Sequence, residues 1–290
     1  MEDTLRIDAY EAQIVPIRPE SRGLLHELTM SVLWPHRDSD LDLLMRLGAG
    51  YVALDAIGRP MGAAMHFPMG DDFAMLGMMV TPPRLQAQGG GRFLLKRILQ
   101  DCAGRDIRLN ATRSGYRLYL SEGFERVTTI HQHQGIAGGV PATDPASNLE
   151  LAIVAPADGP AIREMDAAAF GAGRGATIDA LMAVSNGIVA TRSGRPCGFA
   201  LMRRFGKGHV IGPLVAESEE MAIQIVAPLL RQSEGSFVRI DTPQEGGALT
   251  AFLTASGVGA MDTVTEMRKG PHRRATEGLR TYGLAAHSLG

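Results

Sequence analysis

Apolar positions along the chain fall into short strand-like runs and helical stripes that alternate. Residues 12–18 read as a short strand, and Pro19-Glu20-Ser21 opens a helix reaching about residue 33, broken by Pro35. Leu41, Leu43, Leu44 and Leu47 mark a second helix over 38–47, stopped by Gly48. Residues 51–55 and 61–67 flank Gly58-Arg59-Pro60 as a β-hairpin. After the turn Gly70-Asp71-Asp72, residues 73–80 form an apolar run of strand length bounded by Pro82-Pro83. Gly89-Gly90-Gly91 opens a helix over 92–102; a strand over 107–111, a helix over 114–121 and a closing strand over 125–131 follow.

Residues 134–147 are rich in Gly, Pro, Ala and Thr and read as an interdomain linker. The pattern then restarts with a strand over 149–154 and a helix over 160–170. Beyond Gly270 come basic residues and an apolar-rich stretch, 279–289, expected to form a docked helix. The restart is a repeat: Gly58-Arg59-Pro60-Met61-Gly62-Ala63-Ala64 matches Gly194-Arg195-Pro196-Cys197-Gly198-Phe199-Ala200. Ile107-Arg108-Leu109-Asn110 pairs with Val238-Arg239-Ile240-Asp241, and Gly123-Phe124 with Gly257-Val258. Three matches in one order, offset by nearly half the chain, point to duplication of a whole domain.

Length fits this reading, since 290 residues is about twice a usual domain. The net charge of −2 and the absence of a basic stripe argue against nucleic acid. No run approaches the roughly 20 apolar residues a spanning helix needs, so no membrane role is expected. The start, Met-Glu-Asp-Thr, does not read as a signal peptide, and Cys102 and Cys197 read as reduced thiols. The expected compartment is the cytoplasm.

The stretch that carries chemistry is the strand ending Met78-Met79-Val80, the turn Gln86-Ala87-Gln88-Gly89-Gly90-Gly91, and the helix beginning Arg92. A helix N-terminus offers unpaired amides and a positive dipole end, a seat for a diphosphate. Glycines remove side chains that would hold phosphate oxygens away. The turn lacks the GK[ST] of a P-loop and the acidic residue of a dinucleotide fingerprint. His131 and His133 alternate on one strand but have no third ligand in sight, so no metal is expected. Asp166 and Arg174 could line an interdomain cleft, but a structural salt bridge is the preferred reading.

Strand, then Gln86-x-x-Gly89-x-Gly91, then helix resembles the acyl-CoA motif of the GNAT superfamily of N-acetyltransferases. Tyr119-Leu120-Ser121-Glu122-Gly123-Phe124 resembles that family's later Tyr-x-x-x-Gly-Phe element. The chain is similar to bacterial two-domain GNAT proteins whose C-terminal half lacks the cofactor motif, and Thr265-Glu266-Met267-Arg268-Lys269-Gly270 fits the end of that second half. The resemblance implies an α+β fold of two tandem GNAT-like domains, each a mixed, mostly antiparallel sheet flanked by helices. The expected limits are 1–133 for the first domain, 134–148 for the linker, 149–270 for the degenerate copy and 271–290 for a tail.

The implied donor is acetyl-CoA, with no metal, and the acceptor a small-molecule amine or a protein Lys. The alternative is a non-catalytic CoA or acyl-CoA sensor. Met79 and Val80 would bond the pantetheine arm by their backbones, and Gln86, Ala87, Gln88, Gly89, Gly90, Gly91 and Arg92 would hold the diphosphate. Thr112 stands where relatives carry an Asn that contacts the cofactor; its hydroxyl can make a similar bond. Tyr119 is the implied general acid for a departing thiolate. Trp34, His36, Arg37 and His66 are the candidate acceptor-site residues. Both monomer and homodimer remain open.

Overall fold

The computed structural model describes residues 4–7, 10–143 and 148–290, with side chains from residue 12 onward. Residues 1–3 and 8–9 of the expected first domain and 144–147 of the expected linker lie outside the described residues. The chain forms two compact units, 1–109 and 110–290.

The first unit runs β1 (Thr4–Ile7), β2 (Tyr10–Pro16), α1 (Arg22–Ser31), α2 (Asp38–Leu47), β3 (Ala49–Leu54), β4 (Pro60–Met69), β5 (Phe73–Val80), α3 (Gly90–Asp101) and most of β6 (Asp106–Ala111). Strands β1 to β5 pair antiparallel in chain order. β6 joins β5 in parallel from Phe73↔Asp106 to Leu76↔Leu109, which requires a crossover, and α3 supplies it. Every residue of β4 from Pro60 to Met65 is buried, so both faces of that strand are covered; α1 and α3 both pack on it. Leu25, Leu28 and Thr29 form the inward stripe of α1, and Leu94, Leu95 and Ile98 that of α3.

The second unit runs from the end of β6 through α4 (Tyr116–Ser121), β7 (Glu125–Ile136), β8 (Leu149–Ile153), α5 (Gly159–Phe170), α6 (Gly175–Met182), β9 (Ser185–Arg192), β10 (Arg195–Phe205) and β11 (Gly208–Ala216). It continues with α7 (Glu219–Gln232), β12 (Phe237–Thr242), α8 (Ala248–Ala255), β13 (Gly259–Lys269) and β14 (Arg280–Gly283). Its strand order is β13-β7-β12-β11-β10-β9-β8, with β14 on β11. β7, read from sequence as the close of the first domain, lies between β12 and β13 and is antiparallel to both. Residues 134–136 of the presumed linker belong to β7, and Ala137 is buried, bonded through its main chain to Ser236 and Gly235.

The repeat has structural counterparts. Gly58 and Gly194 both take positive φ, 81° and 73°, in matching hairpin turns. A Cβ on Gly62 would lie 3.0 Å from the Val80 carbonyl and 3.3 Å from Leu94; one on Gly198 would lie 2.9 Å from the Val215 carbonyl and 2.8 Å from Ile225. Each glycine thus seats the same strand against the same neighbour and helix, so α3 corresponds to α7 and β5 to β11.

The expected helix over 279–289 is corrected to a strand, β14, followed by a turn. Thr281 and Tyr282 suit an extended, half-buried surface, and β11 offers the main-chain partners that decide the outcome. Tyr282, Leu284, Ala285 and Leu289 are buried, so this segment is core.

The Asp166–Arg174 pair is fully buried, with bonds of 2.7 and 2.8 Å, and Arg174 also donates to the carbonyls of Leu289 and Gly290. Its guanidinium stacks 3.8 Å from the Phe170 ring centroid. Removing one partner would leave the other charge uncompensated inside. Asp166→Ala is expected to lower unfolding free energy by about 3–5 kcal/mol, read from urea melts. A loss under about 1 kcal/mol, the scale of an exposed pair, would refute the assignment.

Candidate acyl-CoA site

β5 carries an irregularity. Its register with β4 shifts between Ala63↔Val80 and Met65↔Gly77, so one extra residue bulges on β5. Met78 takes a φ of 49°, left-handed and strained for a residue with a side chain, yet that side chain is buried at 2% exposure. Only the burial of Met78 and the flanking pairing explain why the strain persists. No sequence signal marks this bulge. It interrupts the ladder with β4 before Val80 pairs again with Ala63, and it lies past Leu76, where the parallel register with β6 ends.

Past β5, a single 3-10 turn spans Pro83–Leu85. Two glutamines hold the loop: Gln86 Nε2 donates to Thr81 O at 3.1 Å and Gln88 Nε2 to Arg84 O at 3.3 Å. Ala87 has φ 63° and Gly89 φ 89°, and α3 begins at Gly90. Gly89 is the N-cap of α3, and no side chain caps the helix. A Cβ added to Gly89 would meet nothing within 4 Å, so the glycine is required by conformation, and the space in front of the helix is open. The first turn contains no acidic residue. An uncapped helix start with an open approach is a fit for a diphosphate. Gln86, Ala87, Gln88 and Gly89 are exposed, Gly91 half-buried, Arg92 exposed and Gly90 buried.

The acceptor candidates in the same unit are placed unevenly. Trp34 and His36 sit together between α1 and α2, ring centroids 6.3 Å apart, beside an exposed Leu33 with φ 60°. Arg37 instead binds Asp40 through two bonds of 3.0 and 3.2 Å and starts α2. His66 stands at the Leu76 position of the β4–β5 ladder, in the field of Asp101 and Arg105 at the C-terminal end of α3, away from the glycine turn.

In the second unit, Thr112 precedes α4, and its Oγ1 accepts from the backbone N of Gly115, the N-cap residue, at 3.4 Å. The Tyr-x-x-x-Gly-Phe spacing has a physical cause. Gly123 takes φ 83°, Phe124 N donates to Tyr119 O at 3.1 Å, and Gly123 N to Leu120 O at 3.1 Å. These are the two bonds of a Schellman end, which brings the Phe124 ring edge-on to Tyr119, 5.8 Å between centroids. Tyr119 is 6% exposed, and burial raises its phenol above the usual value, so the proton stays on at neutral pH. α8 ends the same way: Val258 N donates to Leu253 O at 2.9 Å and Gly257 N to Thr254 O at 3.1 Å. Leu253 occupies the place of Tyr119. His133 Nδ1 lies 3.2 Å from Val258 O, and no cluster of three metal-ligating side chains forms among the described residues. Also among the described residues, no helix is long and apolar enough to cross a membrane.

Residues 162–283 match the family model for an acetyltransferase (GNAT) domain. The chain is 25% identical over 249 residues to the uncharacterized N-acetyltransferase YitH of Bacillus subtilis (strain 168), covering 84% of this chain and 87% of that protein. A candidate acetyltransferase from Pyrococcus horikoshii superposes with TM-score 0.80 at 20% identity, over 100% of this chain and 99% of the other. A tandem GNAT protein from the clavulanic acid biosynthesis pathway superposes with TM-score 0.63 at 16% identity, over 90% and 99%. The last two show the shared fold across both halves.

Burial pushes the His66 ring below the ordinary imidazole value; Asp101 opposes this in part and Arg105 adds to it. The unfolded chain therefore takes the proton first as pH falls, and this group weakens folding as pH drops through about 6.5. In NMR titration the His66 midpoint should fall below the ordinary imidazole value of about 6.5. A midpoint at or above about 6.5 would show that the ring is solvated or paired with an acid.

Proposed function

We propose, from the premise that this chain belongs to the GNAT acetyltransferases, that its first half binds acetyl-CoA at the glycine turn and that the protein moves the acetyl group to a primary amine. The observation that carries the reading is the uncapped N-terminus of α3 behind a left-handed Gly89. Its first-turn amides, with the helix dipole behind them, complement a diphosphate. The main chain of Met79 and Val80, past the bulge at Met78 and beyond the last β5–β6 pair at Leu76, suits the amide-bearing arm of the same molecule, as a sheet edge suits a peptide.

Bound acetyl-CoA supplies an acyl thioester. The chain's residues then have two tasks. One is to orient: backbone donors along residues 79–92 fix the donor so that an amine meets it in one direction. The other is to supply a proton to the departing sulfur, assigned to Tyr119 Oη by the family pattern that Tyr119 and Phe124 match. Burial keeps that phenol protonated, as a donor must be. Trp34 and His36, grouped on the α1–α2 connection, are the proposed border of the acceptor, a small amine or a protein Lys. Arg37 and His66 are given no direct part, since Arg37 is held by Asp40 and His66 lies toward the far end of α3.

Gly89→Asp tests the diphosphate seat. Aspartate tolerates left-handed backbone and favours a helix N-cap, so the fold should survive. Its carboxylate would face the diphosphate. Acetyl-CoA should raise the Tm of the natural chain through binding, and that shift should be lost in Gly89→Asp but largely kept in Gly89→Asn. Equal shifts in all three chains would rule out a seat at Gly89.

Tyr119→Phe should lower kcat about 10²–10⁴-fold while leaving CoA affinity within about twofold. With Tyr119 intact, the pH–rate profile should show no alkaline loss from this group below about pH 10. Unchanged turnover in Tyr119→Phe would remove it as the acid.

A further inference from the structure

We infer that the C-terminal copy, β8 to β14, takes no acyl-CoA because its own chain already fills both places such a ligand would occupy, with β14 standing in for the pantetheine arm and acidic residues for the diphosphate. This rests on the reading of the first half given above only for which places those are.

The correspondence of β4, β5 and α3 with β10, β11 and α7 follows from the paired contacts of Gly62 and Gly198, and β6 and β12 correspond as the strands parallel to β5 and β11. The strands agree in detail. β10 and β11 shift register between Ala200 and Met202, as β4 and β5 do between Ala63 and Met65. β11 pairs with β12 in parallel only at His209↔Val238 and Val210↔Arg239, and then the two diverge. The opening is filled. β14 runs antiparallel to β11, with Leu214↔Gly283, Val215↔Thr281 and Ala216↔Arg280. On its other side, Leu284 N donates to Asp241 O of β12 at 2.8 Å. Gly212 has no room for a side chain, because a Cβ there would collide with the Leu284 carbonyl.

The helix start is altered in the same sense. α7 has the side-chain cap that α3 lacks: Ser218 Oγ accepts from Met221 N at 3.2 Å. Glu219 and Glu220 lie in its first turn, and Glu219 Oε2 also accepts from Leu249 N at 3.0 Å. Carboxylates satisfy the helix dipole and repel a diphosphate. Leu253, at the Tyr119 position, offers no proton. All three features that the first half presents to acyl-CoA are thus replaced by the chain's own groups.

β14 is held as core. Tyr282 is buried within the cluster formed by Ile211, Leu214, Ile225 and Ile240. Arg203 donates to Ala285 O at 3.1 Å, and His287 lies 3.3 Å from the buried Asp241 carboxylate.

Hydrogen–deuterium exchange of the full chain with and without saturating CoA, together with native mass spectrometry, tests this. Amides of 280–284 and 214–216 should exchange among the slowest and change less than about twofold on adding CoA, with at most one CoA bound. Fast exchange of 280–284, loss of their protection when CoA is added, or a second bound CoA would each overturn the inference. Protection gained at 88–92 reports separately on the first half. Its failure there, with 280–284 still slow, would sink the proposed donor site and leave this inference standing.

Discussion

A parallel strand pair that diverges leaves main-chain NH and CO groups facing an opening, and a folded chain must find partners for them. That constraint organises both halves. β5 and β6 keep parallel register over Phe73 to Leu76, and β11 and β12 over His209 and Val210. A bulge against the preceding strand accompanies each divergence. What differs is the source of the partners. In the second half they come from β14 and Leu284. In the first half they face the place proposed for a ligand arm.

The glycines follow from this geometry. Gly62 and Gly198 sit where a neighbouring carbonyl and a helix side chain crowd a Cβ, tightly at Gly62 and below contact distance at Gly198. Gly89 is needed for the opposite reason, since space is free there but φ is 89°. One residue type thus serves close packing in one place and an unusual backbone in another. A duplicated domain could keep the first use in both copies and lose the second in one. α7 starts with Ser218, Glu219 and Glu220 where α3 starts with Gly89, Gly90 and Gly91.

The second half carries an unusual number of buried charges near its last strand. Asp166–Arg174, Glu266–Arg274 and Asp241 with Arg239 and His287 all lie around segments that follow β13. Burial alone would raise the Asp241 pKa, but His287 and Arg239 outweigh it and hold the carboxyl well below the ordinary range. Buried pairs of this kind contribute little over apolar packing, but they penalise any arrangement that separates them. Here they oppose release of residues 274–290, which keeps β14 in place.

Much of this was legible in the chain itself. The helix over 38–47 and the strand over 73–80 match to the residue, because a leucine stripe ended by glycine and an apolar run ended by prolines are local signals. The glycine turn and the Tyr119-to-Phe124 spacing were readable for the same reason, as each is set by the conformations available to a few adjacent residues. The partners of β7 and the strand at 280–283 were not readable. Strand pairing joins residues far apart in sequence, and an apolar stretch such as 279–289 carries no period that names its neighbour. The amino-acid order determined where the chain turns, which segments are apolar and that one half repeats the other. Only the tertiary structure decided which strand fills which opening, because main-chain hydrogen bonds between distant segments are indifferent to the side chains that local patterns record.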